Sequence, residues 1–195
     1  MTDRELRHAG RPAPEPILPE PVRKHNRHRV GRILRSPLSY LIAAAATVLA
    51  VTAWLPLLRI CGTSMEPTLK EGDIVVSAKY FRLSAGDLAA FYVGNQLLVK
   101  RCIALPGQWV TMDTAGTVFV DGVPQAEPYV EEKALGECDL SMPVQVPENH
   151  YIFMGDHRSA SIDSRRSDIG FVSGEQLIGK IVFRIWPLNQ LGPLP

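Results

Sequence analysis

Cysteine is scarce in this chain, and the three present, Cys61, Cys102 and Cys138, are too far apart to form a C-x-x-C pair. That spacing serves structural zinc and dithiol redox centres, so neither a metal nor a cofactor is expected. An oxidising exterior would permit one disulfide and leave one thiol over, with three pairings open. Net charge is nearly absent as well, since 21 Lys and Arg stand against 20 Asp and Glu. A balance of +1 gives no global signature of nucleic-acid binding, and no nucleic-acid partner is expected. The chain has no internal repeat and no G-x-S-x-G nucleophile elbow. It also lacks any charge between Leu38 and Leu58.

That last absence is the first positive signal. At about 1.5 Å per residue, a helix over this stretch covers roughly 30 Å, the thickness of a bilayer core. Tyr40 and Trp54 lie near its ends, where amphipathic rings favour the headgroup region, and Pro56 falls near the exit. Arg23, Lys24, Arg27, Arg29, Arg32 and Arg35 crowd before it, a bias that keeps the preceding segment in the cytoplasm. The small residues Ala43 to Ala46 and Ala50 also allow a cleavable export signal, but this apolar run exceeds the usual h-region of about 7 to 15 residues. The predicted organisation is a disordered basic cytoplasmic tail over 1–35, a transmembrane helix over 36–58 and an extracytoplasmic domain over 59–195. The tail assignment rests on Pro12, Pro14, Pro16, Pro19 and Pro21 among few apolar groups.

Beyond Arg59, short apolar runs alternate with turn residues. Ile74 to Val76, Leu88 to Val93, Leu97 to Ala104, Val110 to Met112, Val118 to Val120, Tyr151 to Met154 and Ile181 to Ile185 read as strands. Glu71-Gly72-Asp73, Ala85-Gly86-Asp87, Pro106-Gly107, Ala115-Gly116 and Asp121-Gly122 read as turns. The fold class predicted is mainly β, a partly closed antiparallel β domain preceded by one transmembrane helix.

Two residues carry the chemistry. Ser64 lies in Gly62-Thr63-Ser64-Met65-Glu66-Pro67-Thr68-Leu69, just past the apolar span, and Lys100 lies inside a second apolar run. A serine hydroxyl needs a base to become a nucleophile, and a lysine amine can be that base when burial keeps it neutral. A free lysine has a pKa of about 10.4, so only about one in a few thousand is neutral at pH 7. Desolvation can lower that value by several units. On a strand, Lys100 shares a face with Leu98 and Cys102, surroundings that suit a partly buried amine.

A third segment, Gly155-Asp156-His157-Arg158-Ser159-Ala160-Ser161-Ile162-Asp163-Ser164-Arg165, completes a set. Ser64-Met65-Glu66-Pro67-Thr68-Leu69, the strand Gly72 to Val76, Val99-Lys100-Arg101 with Leu105-Pro106-Gly107, and Gly155 to Arg165 stand in the order of the boxes of a known family. Over Leu38 to Pro187 the chain resembles bacterial type I signal peptidases, membrane-bound Ser/Lys endopeptidases that remove signal peptides from exported proteins.

The resemblance implies that Ser64 is the nucleophile and Lys100 the general base. It implies that Ser161 orients the Lys100 amine, that Gly155 leaves room beside the lysine, and that Asp163 and Arg165 hold the loop as a charge pair. It further implies preproteins as substrates, with small residues one and three positions before the cut, and a monomer in contact with membrane lipid at the outer face of the cytoplasmic membrane. Tyr80-Phe81 and the apolar residues Trp186, Leu188 and Leu191 are candidates for that contact.

Two departures stand out. Some relatives carry a serine two residues before the nucleophile, where this chain has Gly62, and the turn Arg166-Ser167-Asp168-Ile169 before Gly170 is two residues longer than the common pattern. His157 stands where asparagine is frequent and, with Asp156 or Asp163, invites a Ser-His-Asp alternative. Other readings are a specialised pilin-type peptidase, a self-cleaving Ser/Lys repressor domain, which is soluble and has no membrane span, and an inactive membrane-tethered binding module, which intact Ser64, Lys100 and Ser161 oppose.

Overall fold

The structure, a computed structural model, describes residues 37–79 and 82–194. The basic cluster, the rest of the tail and Tyr80-Phe81 lie outside the described residues. The chain divides into two units, 1–47 and 48–195.

Helix α1 runs over Pro37–Trp54, and its large apolar residues Leu38, Leu41, Ile42, Val48 and Leu49 are exposed. Among the described residues, no helix is long and apolar enough to cross a membrane. The helix expected to continue to residue 58 stops at Trp54, and strand β1 already occupies Leu57–Arg59. Pro56 explains the change, because it can donate no backbone hydrogen bond to a continuing helix.

The β unit contains two antiparallel sheets. The larger runs in the order β1, β2 (Ile74–Ala78), β11 (Leu177–Trp186), β3 (Leu88–Val93), β4 (Gln96–Ala104), β9 (His150–Met154) and β10 (Val172–Ser173), with β12 (Gly192–Pro193) on β11. The smaller runs β7 (Val123–Pro124), β6 (Val118–Val120), β5 (Trp109–Met112) and β8 (Val144–Gln145). Seven strands, β2 to β6, β9 and β11, coincide with the predicted ones within a few residues, whereas β1, β7, β8, β10 and β12 were not foreseen. Strands of two or three residues carry little alternation to read from sequence, and β6 was legible because it lies between the turns Ala115-Gly116 and Asp121-Gly122.

The hairpin β3–β4 sets the register that matters. Its loop is Gly94-Asn95, with Gly94 at φ 57°, and such two-residue turns favour residues that tolerate positive φ. The turn aligns Val93 with Gln96 and hence Ala89 with Lys100. Lys100 thereby stands on the face of Leu98 and Cys102, and Cys102 packs with Ala89, Phe91, Phe153 and Val172. A second cluster, Ile60, Met65, Leu69, Val75, Leu88, Ala90 and Ile181, lies under the loop joining β1 to β2. That loop is pinned at its base, where Ile60 N–H donates to Asp73 O at 2.8 Å and Gly72 N–H to Ile60 O at 3.0 Å.

Candidate active site

Ser64 is carried by the β1–β2 loop and Lys100 by the middle of β4, and Lys100 Nζ lies 2.6 Å from Ser64 Oγ in hydrogen-bond geometry. Lys100 is 3% exposed. Burial lowers its pKa from 10.5 to about 8, Asp163 opposes that shift, Arg165 adds to it and Asp156 opposes it. A desolvated ammonium has lost its hydration without gaining a direct counter-ion, so the neutral amine becomes accessible near neutral pH. Met65, beside Ser64, is 2% exposed and belongs to the core under the loop.

The loop Gly155 to Arg165 leaves the end of β9 and comes against Ser64 through backbone, with His157 N–H donating to Ser64 O at 3.1 Å. Asp163 and Arg165 are brought together, Arg165 Nε donating to Asp163 Oδ1 and Nη2 to Oδ2, both at 2.8 Å. Burial works against the Asp163 carboxylate, yet the hydrogen bonds and charge of Arg165 outweigh it and hold its pKa below the ordinary value. Gly155 N–H donates to Asp163 Oδ2 at 2.9 Å.

Gly155 and Ser161 stand together against Ser64. A Cβ on Gly155 would collide with the Ser161 side chain and come within 2.5 Å of Ser64 O, so the room this glycine leaves is filled by the two serines. Ser161 Oγ is buried and near enough to Asp163 to favour the ionised carboxylate, but it makes no hydrogen bond, to Lys100 or to any other group. The Ser-His-Asp alternative fares poorly on geometry. The His157 ring nitrogen Nδ1 has no hydrogen-bond partner, and both aspartates are engaged by arginines.

Three further buried arginine contacts were not foreseen. Arg101, next to Lys100, donates from Nε to Asp156 Oδ1 at 2.9 Å and from Nη2 to Oδ2 at 2.7 Å, and its guanidinium lies 3.9 Å over the Tyr129 ring. Arg158 forms a two-point pair with Glu127 and donates from Nε to Gly155 O at 3.1 Å. Arg165 also reaches Leu135 O at 2.8 Å and Arg158 O at 2.9 Å. The segment carrying Glu127, Tyr129 and Leu135 is therefore tied to the loop Gly155 to Arg165 through guanidinium groups. Glu127, between Pro124 and Pro128, gave no periodic signal by which sequence could have found it.

Two cavities meet at the Ser64–Lys100 contact. One, of about 330 Å³, is lined by Gly62, Leu98, Ile162 and Asp168 among others. The other, of about 250 Å³, is lined by Leu58, Ile60, Met65 and Val99 among others. Gly62 has φ 85° and open space where a Cβ would be, so backbone conformation rather than crowding favours glycine there. The three thiols are free, and no bridge joins Cys61, Cys102 and Cys138.

The family model described as signal peptidase, peptidase S26, matches residues 33–186. Signal peptidase IB of Staphylococcus aureus (strain COL) is 33% identical over 150 residues, covering 66% of this chain and 76% of that protein. Signal peptidase I of Bacillus licheniformis is 35% identical over 144 residues, covering 67% and 76% respectively. Among solved structures, a signal peptidase I from Enterococcus faecalis V583 is 28% identical, with TM-score 0.43, and the match covers 51% of this chain and 97% of that one.

Proposed function

The chain belongs to the signal peptidase family, peptidase S26, and from that premise we propose that it cleaves signal peptides by a Ser64–Lys100 dyad. It is a serine endopeptidase acting on signal-peptide-bearing preproteins. The observation that carries the dyad is the 2.6 Å contact between a buried amine and one hydroxyl.

The chemistry follows from that contact. Neutral Lys100 Nζ accepts the Ser64 Oγ proton as Oγ bonds to the scissile carbonyl carbon. The oxyanion that forms needs preorganised donors, and the Ser64 backbone N–H is the candidate. The Lys100 ammonium then gives its proton to the leaving amine, which departs and leaves an acyl ester on Ser64. A water molecule, deprotonated by the same amine, attacks the ester, and the proton returns to Ser64 Oγ. Asp163, Arg165 and Gly155 fix the loop that backs Ser64, and Ser161 stands beside them as a positioning group.

Small apolar residues at −1 and −3 of an extended substrate suit the smaller cavity, walled by Leu58, Ile60, Met65 and Val99. The uncharged stretch Leu38 to Leu58 and the exposed apolar residues of α1 support an anchor in the cytoplasmic membrane, with the basic segment inside and the peptidase domain outside. Exposed Trp186, Leu188 and Leu191 support contact with lipid. Nucleophile and base come from one chain, so a single copy holds the whole dyad, which is compatible with action as a monomer.

The test is cleavage of a preprotein in detergent by the wild-type protein and by Ser64→Ala and Lys100→Ala variants. Cleavage lost in both is expected; cutting that survives either change overturns the dyad.

A further inference from the structure

The larger cavity holds one group that the dyad chemistry leaves unused. Asp168 is the carboxylate in its wall, and it comes from the turn that is longer than the family pattern. Its position is fixed: Arg166 Nε donates to Oδ1 at 2.9 Å and Nη2 to Oδ2 at 2.8 Å. The turn is fixed too, because Ser167 N–H and Oγ donate to Asp139 at 2.6 and 2.9 Å and Gly170 N–H donates to Arg166 O at 2.8 Å.

The pairing does not exhaust Asp168. Each carboxylate oxygen keeps a lone pair beyond the one Arg166 uses, and the side chain is 58% exposed. Arg166 is shared with Glu137, Nη1 to Oε2 at 2.7 Å, so one cation faces two carboxylates and the group keeps a net negative charge. Val93, Leu98, Ile162 and Ile169 line the same cavity, apolar surface suited to an aliphatic stem that ends in a cation.

Side chains of an extended peptide alternate, so those at −1 and −3 point one way and those at −2 and +1 the other. The smaller cavity, walled by Leu58, Ile60, Met65 and Val99 with no carboxylate, suits small apolar residues. A cavity of about 330 Å³ is about 7 Å across, roughly two extended residues at about 3.3 Å each. We propose that Asp168 is a specificity residue that selects substrates with lysine or arginine at −2 or +1, a selection that rests on the peptidase reading above.

The experiment uses the full chain in detergent and two peptide series, with Ala, Lys or Glu at −2 in one and at +1 in the other. In one series the wild-type protein is expected to cut the Lys peptide about tenfold faster in kcat/KM than the Glu peptide, equivalent to about 1.4 kcal/mol. Asp168→Asn brings that ratio to within about twofold and Asp168→Lys inverts it, as expected for a screened charge contact at an exposed site. A Lys/Glu ratio near one in both series, or a ratio unchanged in Asp168→Asn, overturns the inference while leaving the peptidase standing. If the wild-type protein cuts none of the peptides, the peptidase reading falls and takes this inference with it.

Discussion

Lys100 Nζ sits 2.6 Å from Ser64 Oγ, and the two residues reach that contact from different parts of the larger sheet, a loop after β1 and the middle of β4. Replacing either one removes an entire role rather than weakening it. Ser64→Ala and Lys100→Met are expected to lower kcat by about 10⁴-fold or more, with circular dichroism unchanged, and the double variant should be no worse than either single one.

The lowered pKa of Lys100 sets a pH profile. With the amine titrating at about 8, kcat/KM should climb about tenfold per pH unit between pH 6 and 7 and level off above about 8. A profile flat from pH 6 to 9 would show that the base is some other group.

The same shift has a sign for stability. Between pH 8 and 10.5 the unfolded chain keeps the lysine proton that the native protein has released, so stability rises with pH across that window. Below it, holding Lys100 in place costs on the order of 3 kcal/mol. Lys100→Met is therefore expected to raise the urea midpoint at pH 7, and the gap from wild type should narrow by pH 10.

Glu127 and Arg158 are both fully buried. Glu127→Gln leaves a guanidinium without its counter-charge and should cost about 3–5 kcal/mol in urea denaturation. The double change Glu127→Met with Arg158→Met should recover much of that loss, because it removes both charges together. Equal losses in the single and double variants would count against the pair.

The cysteines should differ in reactivity. Cys61 is exposed and is expected to react first with a chromogenic disulfide reagent. Burial, with Asp87 adding to it, pushes the Cys102 thiol up to about 12, so it should stay unmodified until the protein unfolds. Native Cys102 labelling as fast as Cys61 would contradict the burial described.

Sequence made the pairing of Ser64 with Lys100 legible because each lies in a short, distinctive run. Ser64 and Lys100 each stand inside a recognisable box, and Lys100 sits in an apolar strand whose alternation could be counted. The turn glycines were legible for a related reason, since Gly72 at φ 89° and Gly107 at φ 86° occupy backbone that other residues rarely adopt. The arginine pairs were not legible. Arg101 and Asp156 are 55 positions apart, Arg158 and Glu127 are 31 apart, and no local pattern says which carboxylate a buried guanidinium will find. The orientation of the Ser161 side chain was not legible either, because a motif gives the order of groups but not their rotamers.

Strand β11 lies between β2, which closes the nucleophile's loop, and β3, which aligns the lysine's hairpin. It also follows both Ser64 and Lys100 in the chain, at Leu177–Trp186. A ribosome emitting this chain thus releases serine and lysine well before the wedge that sets their spacing, and the pair is expected to assemble only once β11 has emerged.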